Sequence, residues 1–261
     1  MRIALHGATG RMGQAIVRLV QEKREDQIVG AIAAPDAIEQ GRDVGEVAGI
    51  GHIGVAVTHD HAVGLLGADV VIDFSHAAAM PPLTRAIKRA RVALVSGTTG
   101  LAATDRAALD DLAETVAVLW AANMSPGVEA VAQMARLAAA TLGEEYDIEI
   151  VETHHRQKVD APSGTALRLA EAVREARPDL ALRHGREGRP GPRAANELAV
   201  MALRGGDVIG DHTVHLLGLG ERIEITHRAT QRDVFARGAM RAARWLIGKK
   251  PGRYTLRDLL A

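Results

Sequence analysis

Seven residues near the amino terminus restrict the fold of this chain more than any others: Gly7-Ala8-Thr9-Gly10-Arg11-Met12-Gly13. They follow a short apolar run, Arg2–His6, and precede a stretch in which Ile16, Leu19 and Val20 share one helical face. A strand that turns through glycines directly into a helix suits a dinucleotide. Glycine allows the tight turn and the close approach of backbone to a pyrophosphate, and the helix start offers unpaired N–H groups with a partial positive charge. The spacing is GxxGxxG, not GxGxxG, and glycines that serve packing alone would read the same way. The strand–turn–helix context favours nucleotide binding.

The alternation then repeats. Strand-like runs at 27–33, 68–74, 92–96 and 116–122 are separated by helical patterns at 81–90 and 104–115. Such repeats predict an α/β domain: a Rossmann-like, doubly wound parallel sheet over 1–124. Ligands of these sheets sit at the carboxyl ends of the strands. Gly97-Thr98-Thr99-Gly100 and Ala121-Ala122-Asn123-Met124 fall there and are candidates for the nicotinamide side of a cofactor. Asp36, just beyond the second strand, is the candidate partner of the adenosine ribose, and Arg42 is near enough in sequence to meet a 2′-phosphate. The choice between NAD and NADP stays open.

After Asn123 the pattern changes to a long Ala-rich helix, Pro126–Leu142, an alternating strand over 146–153, and three further strand candidates at 196–204, 208–217 and Arg222–Ala229. This second domain, 125–234, reads as α+β with an open mixed sheet. Gly205-Gly206 suggests a hairpin joining 196–204 to 208–217, and 183–195, rich in Gly, Pro and Arg, suggests a surface loop. A last helix is expected over 233–247.

Chemistry concentrates in residues 152–166, Glu-Thr-His-His-Arg-Gln-Lys-Val-Asp-Ala-Pro-Ser-Gly-Thr-Ala. His154, His155 and Lys158 are proton donors. Ser163 is a helix N-cap, and the Gly164 and Thr165 amides of the following first turn make a seat for a carboxylate. Adjacent strand residues point to opposite faces, so both histidines serve one site only if the strand ends there and the chain bends. Asp160 either orients Lys158 or is an ordinary loop carboxylate. An isolated capped helix would explain Ser163 but not the two histidines and the lysine upstream of it.

Composition removes competing chemistries. There is no cysteine, hence no disulfide, thiolate zinc site or enzyme thioester. The two tyrosines, Tyr146 and Tyr254, are followed four residues on by Ile150 and Asp258, so the Tyr-x-x-x-Lys pair of short-chain dehydrogenases is missing. No HExxH or similar spacing points to a metal. A net charge of zero and 2% aromatic residues give no sign of a nucleic-acid partner. No apolar run reaches the ~20 residues of a membrane span, and the amino terminus lacks signal-peptide anatomy, which makes a cytoplasmic location the expectation.

On these segments the chain resembles the dihydrodipicolinate reductase family of lysine and diaminopimelate biosynthesis. Beyond 152–166, the resemblance is carried by Gly7–Gly13, Asp73-Phe74-Ser75, Gly97–Gly100, Ala121-Ala122-Asn123, 184–188, 203–207 and 220–229. It implies an oxidoreductase that reduces a cyclic imine bearing two carboxylates with NADH or NADPH. It further implies His154 as principal acid/base, Lys158 as a second proton donor, and His155, Gly164 and Thr165 as carboxylate ligands. A homotetramer built through the second domain's sheet, and a carboxyl-terminal segment, 235–261, that completes the first domain, are implied as well. The chain departs from the family pattern at Ala34-Pro35, at His76 and at 198–201. The reading of another class is a nucleotide-sensing protein without turnover, which would need the glycine turn but not His154, His155 and Lys158.

Overall fold

The computed structural model describes every residue except Arg24. In chain order the first elements are β1 (Arg2–His6), α1 (Arg11–Lys23), β2 (Gln27–Ile32), α2 (Val44–Val47), β3 (Val57–Thr58) and α3 (His61–Gly64). Next come β4 (Val70–Asp73), α4 (Met80–Ala90), β5 (Ala93–Ser96), α5 (Ala103–Ala113) and β6 (Ala117–Trp120). There follow α6 (Pro126–Leu142), β7 (Asp147–His154), α7 (Gly164–Ala176), β8 (Ala181–Arg183), β9 (Glu197–Arg204), β10 (Gly210–Leu217) and β11 (Arg222–Ala229). The chain closes with α8 (Asp233–Leu246), β12 (Gly252–Tyr254) and α9 (Leu256–Leu260). It divides into two units, Met1–Ser125 with Asp233–Ala261, and Pro126–Arg232. Among the described residues no helix is long and apolar enough to cross a membrane.

The first unit holds a seven-stranded sheet in the order β12-β6-β5-β4-β1-β2-β3, with every pairing parallel. Its strands are apolar on both sides, as a sheet covered on both faces requires. Ile3, Leu5, Val70, Ile72 and Val95 pack with Ile16 and Val20 of α1 and Ala239, Ala243 and Leu246 of α8. Ala4, Val71 and Leu94 face the other way, onto Leu83 and Ile87 of α4 and Leu109 and Leu112 of α5. β1 lies between β2 and β4, so the chain winds outward in both directions from this strand. The carboxyl ends of β1 and β4 therefore flank the topological switch point, where such sheets bind ligands.

The second unit holds a five-stranded sheet in the order β11-β10-β7-β9-β8. β10 is antiparallel to both β7 and β11, while β7–β9 and β8–β9 are parallel. One face carries Ile148, Ile150, Leu198, Val200, Val214 and Leu216 against Val131 and Ala135 of α6 and Leu169 and Val173 of α7. The period-2 alternation along β7 is the signature of that one-sided burial.

The expected hairpin at Gly205-Gly206 is not formed: β7 lies between β9 and β10. Gly205 N instead donates to His154 O (2.9 Å), and Arg156 N donates to Gly206 O (3.2 Å), so the glycines turn the chain against the end of β7. β7 takes the centre of the sheet. The hairpin is β10–β11, in register from Gly210↔Ala229 to Leu217↔Arg222. The 183–195 segment is a surface loop after β8, held by Arg186 on Glu149 and Glu197 and by Arg193 on Glu149 and Asp147.

Candidate active site

In the first unit the glycine turn leaves β1 as a compact loop. Gly7 N and Ala8 N both donate to Ile32 O (2.9 and 3.0 Å), and Gly10 N donates to Gly7 O. The first α1 bond of the i→i−4 kind runs from Gln14 N to Gly10 O, so the Arg11, Met12 and Gly13 amides precede the helical ladder. Two glycines are sterically required. Gly7 has φ +77°, and a Cβ there would lie 2.3 Å from Phe74 O; a Cβ at Gly13 would lie 2.4 Å from Ala8 O. The cradle therefore fits a pyrophosphate, with the helix amides, not those of Gly7 and Ala8, left for it. Asp36 is exposed in a turn beyond β2, as are Ala34 and Pro35.

The carboxyl ends of β1, β4 and β5 are tied together by one carboxylate. Asp73, fully buried, accepts from His6 Nδ1 (2.7 Å), Ser75 Oγ (2.7 Å), Ser75 N (3.2 Å), Ser96 Oγ (2.6 Å) and Thr98 Oγ1 (2.8 Å). Strand register makes this possible: His6 pairs with Asp73, and Asp73 with Ser96. Burial pushes Asp73 up, but the His6, Ser75 and Ser96 hydrogen bonds outweigh it and hold the carboxyl below its ordinary range. The Thr98 hydroxyl is thereby turned inward, while Thr99 and Ala122 are exposed. Met124 is almost wholly buried in the core, and Asn123 Oδ1 accepts from Ser125 N (2.8 Å).

In the second unit β7 ends at His154, and Lys158 N donates to His155 O, so the chain does bend there. The next helix begins at Gly164, with Ser163 as N-cap accepting from Ala166 N (3.2 Å) and Thr165 in the first turn. Lys158 Nζ donates to both oxygens of Asp160 (2.7 and 2.9 Å), which decides Asp160's role in favour of orienting the lysine. His154 and Lys158 lie at and just after the end of β7, in the stretch that leads to the α7 amino terminus, and His155 and Lys158 are half-buried.

Three functional candidates escaped sequence reasoning. Glu152, fully buried, accepts from His154 Nδ1 (2.6 Å), from Arg204 Nη1 and Nη2 (2.7 and 2.9 Å) and from Ser163 N (3.0 Å). His212 Nε2 lies 3.1 Å from Ser163 Oγ, and its ring meets that of His154 edge-on at 5.0 Å. The signal for Glu152 was present: Ile148, Ile150, Glu152 and His154 share one period-2 face, and a glutamate on the apolar phase of a strand needs a partner. Arg204 and His212 come from β9 and β10, and no local spacing connects them to β7.

The electrostatics follow from burial. Burial raises Glu152, but the Arg204 and His154 hydrogen bonds and the Ser163 amide outweigh it, so the carboxyl titrates below its ordinary range. Burial lowers His154; the Glu152 hydrogen bond and charge oppose this only in part. Burial and the neighbouring His154 push His212 down to about 3. Ser163 Oγ accepts from Ala166 N and shares one hydrogen with Nε2 of a neutral His212. Among the described residues no group of three His, Cys, Asp or Glu side chains is placed to hold a metal ion.

Comparison with known proteins agrees along the whole chain. Residues 1–124 match the family model described as dihydrodipicolinate reductase, N-terminus, and residues 127–260 match dihydrodipicolinate reductase, C-terminus. A 4-hydroxy-tetrahydrodipicolinate reductase of Alkalilimnicola ehrlichii is 47% identical over 262 residues, covering 99% of this chain and 98% of the relative. One from Myxococcus xanthus is 46% identical, covering 100% and 97%. The fold is that of a solved dihydrodipicolinate reductase with dipicolinate bound, from Paenisporosarcina sp. TG-14, at TM-score 0.77, 24% identity and coverage of 98% and 97%. With both family models matched and nearly half of all residues shared over full length, the chain belongs to the dihydrodipicolinate reductase family.

Proposed function

We propose that His154 and Lys158 supply the proton in the reduction of 4-hydroxy-tetrahydrodipicolinate that this family performs, and that His155 with the Gly164 and Thr165 amides binds a substrate carboxylate. The observation that carries this reading is that Glu152 bonds both His154 Nδ1 and the amide of the α7 cap, Ser163, with Lys158 in the bend between them. Replacing the 4-hydroxyl by hydrogen consumes one hydride and one proton and releases water. NADH or NADPH supplies the hydride when bound.

This chain's own groups do the rest. The amides at the α1 start, from Arg11 and Met12 on, hold the pyrophosphate, and Gly7, Ala8, Thr9 and Gly10 shape the turn that presents them. The turns at Gly97, Thr98 and Thr99 and at Ala121, Ala122, Asn123 and Met124 border the nicotinamide side, and Asp36 is the acidic candidate for the adenosine ribose. Residues 1–124 with 235–261 thus act as the dinucleotide domain and 125–234 as the substrate domain. Developing negative charge on the substrate is met by the Lys158 ammonium and the α7 amides, donors already oriented before reaction. A doubly charged substrate also opposes the lowering of His154 by burial, because nearby anions favour the imidazolium. Asp160 releases Lys158 to a substrate carboxylate by exchanging one ion pair for another. The face of the five-stranded sheet opposite α6 and α7, with Val151, Met201 and Leu203, is the proposed tetramer surface, to be checked by light scattering on the eluting species.

The test couples the purified protein to the aldol product of pyruvate and aspartate semialdehyde and follows absorbance of NADH and of NADPH. Consumption of either is expected, and its relative rate reports the preference that Ala34-Pro35-Asp36 leaves open. His154→Asn and Lys158→Ala should each lower turnover roughly 10²–10⁴-fold, the range for general acid–base groups. Binding of nucleotide without turnover would favour the sensor instead.

A further inference from the structure

We propose that Glu152, clamped by Arg204, is a positioning residue that fixes the tautomer of His154 and so selects Nε2 as its proton-exchanging atom. The inference rests on the acid–base reading of His154 and adds the group that makes one ring nitrogen different from the other.

The argument starts from acceptor capacity. An ionised carboxylate can only accept hydrogen bonds. Both Glu152 oxygens are engaged: Oε1 by Ser163 N and Arg204 Nη2, Oε2 by His154 Nδ1 and Arg204 Nη1. The bidentate guanidinium keeps the carboxylate charged, as planar Arg–carboxylate pairs do. Nδ1 must then carry the hydrogen that spans the 2.6 Å contact. In the neutral ring that leaves the lone pair on Nε2, and in the imidazolium it leaves the transferable proton there.

The surroundings are built for this orientation. Nε2 lies over Gly210, where a Cβ would come within 2.9 Å of it, so that strand position leaves space for the ring tip. Glu152 also ties His154 to the α7 cap through the Ser163 amide, so the imidazole and the proposed carboxylate seat are held by one side chain. Arg204 does a second thing. Its charge lies beside both partners, attracting Glu152 and opposing protonation of His154. The charged groups facing His154 are Glu152 on its own strand, Lys158 after it and Arg204 on β9, with neutral His212 on β10.

The two partners therefore act on His154 with opposite sign. Glu152→Gln removes the anion and should move the His154 limb of the kcat/KM profile to lower pH, with kcat reduced at least 10-fold and KM changed less. Arg204→Met removes the cation and should move the same limb to higher pH. A loss of packing alone would produce no such pair of opposite shifts. The tautomer is read directly in the uniformly ¹⁵N-labelled wild-type protein, with long-range imidazole correlations assigned to His154 by their loss in His154→Asn. The expected result is protonated Nδ1 and a non-protonated Nε2 at pH above the limb, with that preference lost in Glu152→Gln. Protonated Nε2 in the wild type, or limbs that move in the same direction in both variants, would overturn the inference. The wild-type spectrum needs no Glu152 variant to fold. If His154→Asn instead keeps full turnover, the acid–base reading fails while the tautomer assignment still stands or falls on its own spectrum.

Discussion

Each unit of this protein buries one carboxylate at a strand end and gives it a histidine Nδ1, yet the two carboxylates are built for different ends. Asp73 meets His6 at 2.7 Å and Glu152 meets His154 at 2.6 Å. The remaining donors to Asp73 are hydroxyls and one amide, from Ser75, Ser96 and Thr98, which carry no net charge. The remaining donors to Glu152 include the Arg204 guanidinium. At Asp73 three strand ends and two turns are locked in place, an arrangement suited to shaping a backbone surface. At Glu152 a permanent cation balances the anion, so the histidine can give up its proton without leaving the carboxylate unmatched. The same local chemistry serves as a fastener in one place and as a support for proton transfer in the other.

Removing the cation is the harshest way to break the comparison. Arg204→Met leaves Glu152 buried with His154 as its sole ionisable partner, and breaking a buried pair from one side costs about 3–5 kcal/mol. Urea unfolding at pH 7 should show a loss in that range. A loss below about 1 kcal/mol would mean that Glu152 reaches water in the variant and that the two carboxylates differ less than their donors imply.

Next in size is a purely geometric disturbance. Gly210→Ala places a methyl 2.9 Å from His154 Nε2, with Glu152 holding the other side of the ring. Tilting the imidazole should cost turnover on the order of 10²-fold, as small misplacements of reacting groups do, with the unfolding midpoint changed far less. Unaltered kcat would show that the ring tip is not where the chemistry happens.

Much of this was legible in the chain. The glycine turn, the strand–helix alternation and the helix beginning after Ser163 could be read because each rests on local rules: turn geometry, period and capping. β4 and β6 are shorter than the runs 68–74 and 116–122, because apolar residues continue past the last ladder bond. Gly205-Gly206 does not make the expected hairpin, because two glycines say that the chain turns, not which strand it then joins. Here β7 comes between the two strands that the glycines join, a pairing 50 and more residues away in sequence. The Asp73 and Glu152 clusters were hidden for the same reason. Asp73 stands in a recognisable Asp-Phe-Ser turn, but its partners lie 67 and 23 residues away at His6 and Ser96. Arg204 is 52 residues from Glu152. Long-range pairings of polar groups leave no period to detect.

Acid sharpens the comparison by separating the groups in pH. His212 is held down to about 3 from an ordinary 6.5, so between these values the unfolded chain binds a proton that the folded protein refuses. Its contribution is complete above about pH 6.5 and declines as pH falls toward 3, at up to roughly 1.4 kcal/mol per pH unit. Asp73 and Glu152 are also lowered, from ordinary carboxylate values, so their contributions persist to about pH 4 and are lost below it as each is protonated in the fold. Stability measured from pH 7 to pH 3 should therefore fall in two stages. His212→Gln should flatten the first stage and leave the second, and an unchanged slope between pH 6 and 4.5 would show that His212 takes up a proton in the folded state.

The gentlest test asks whether Asp73 is a fastener whose strength is shared among many weak donors. Ser96→Ala removes one hydroxyl at 2.6 Å and leaves His6, Ser75 and Thr98 on the carboxylate. A single neutral hydrogen bond contributes about 1 kcal/mol net, and the acceptor stays satisfied, so a loss of about that size is expected in urea unfolding. The affinity for NADPH, measured by fluorescence titration, should change little, because Ser96 points into the sheet and the turns it fastens keep three other ties. A loss several times larger would mean that the carboxylate cannot share its charge over the remaining donors. Asp73 would then depend on its donors as a set, as Glu152 does on Arg204, and the distinction between the two sites would lie in their place in the fold, not in their energetics.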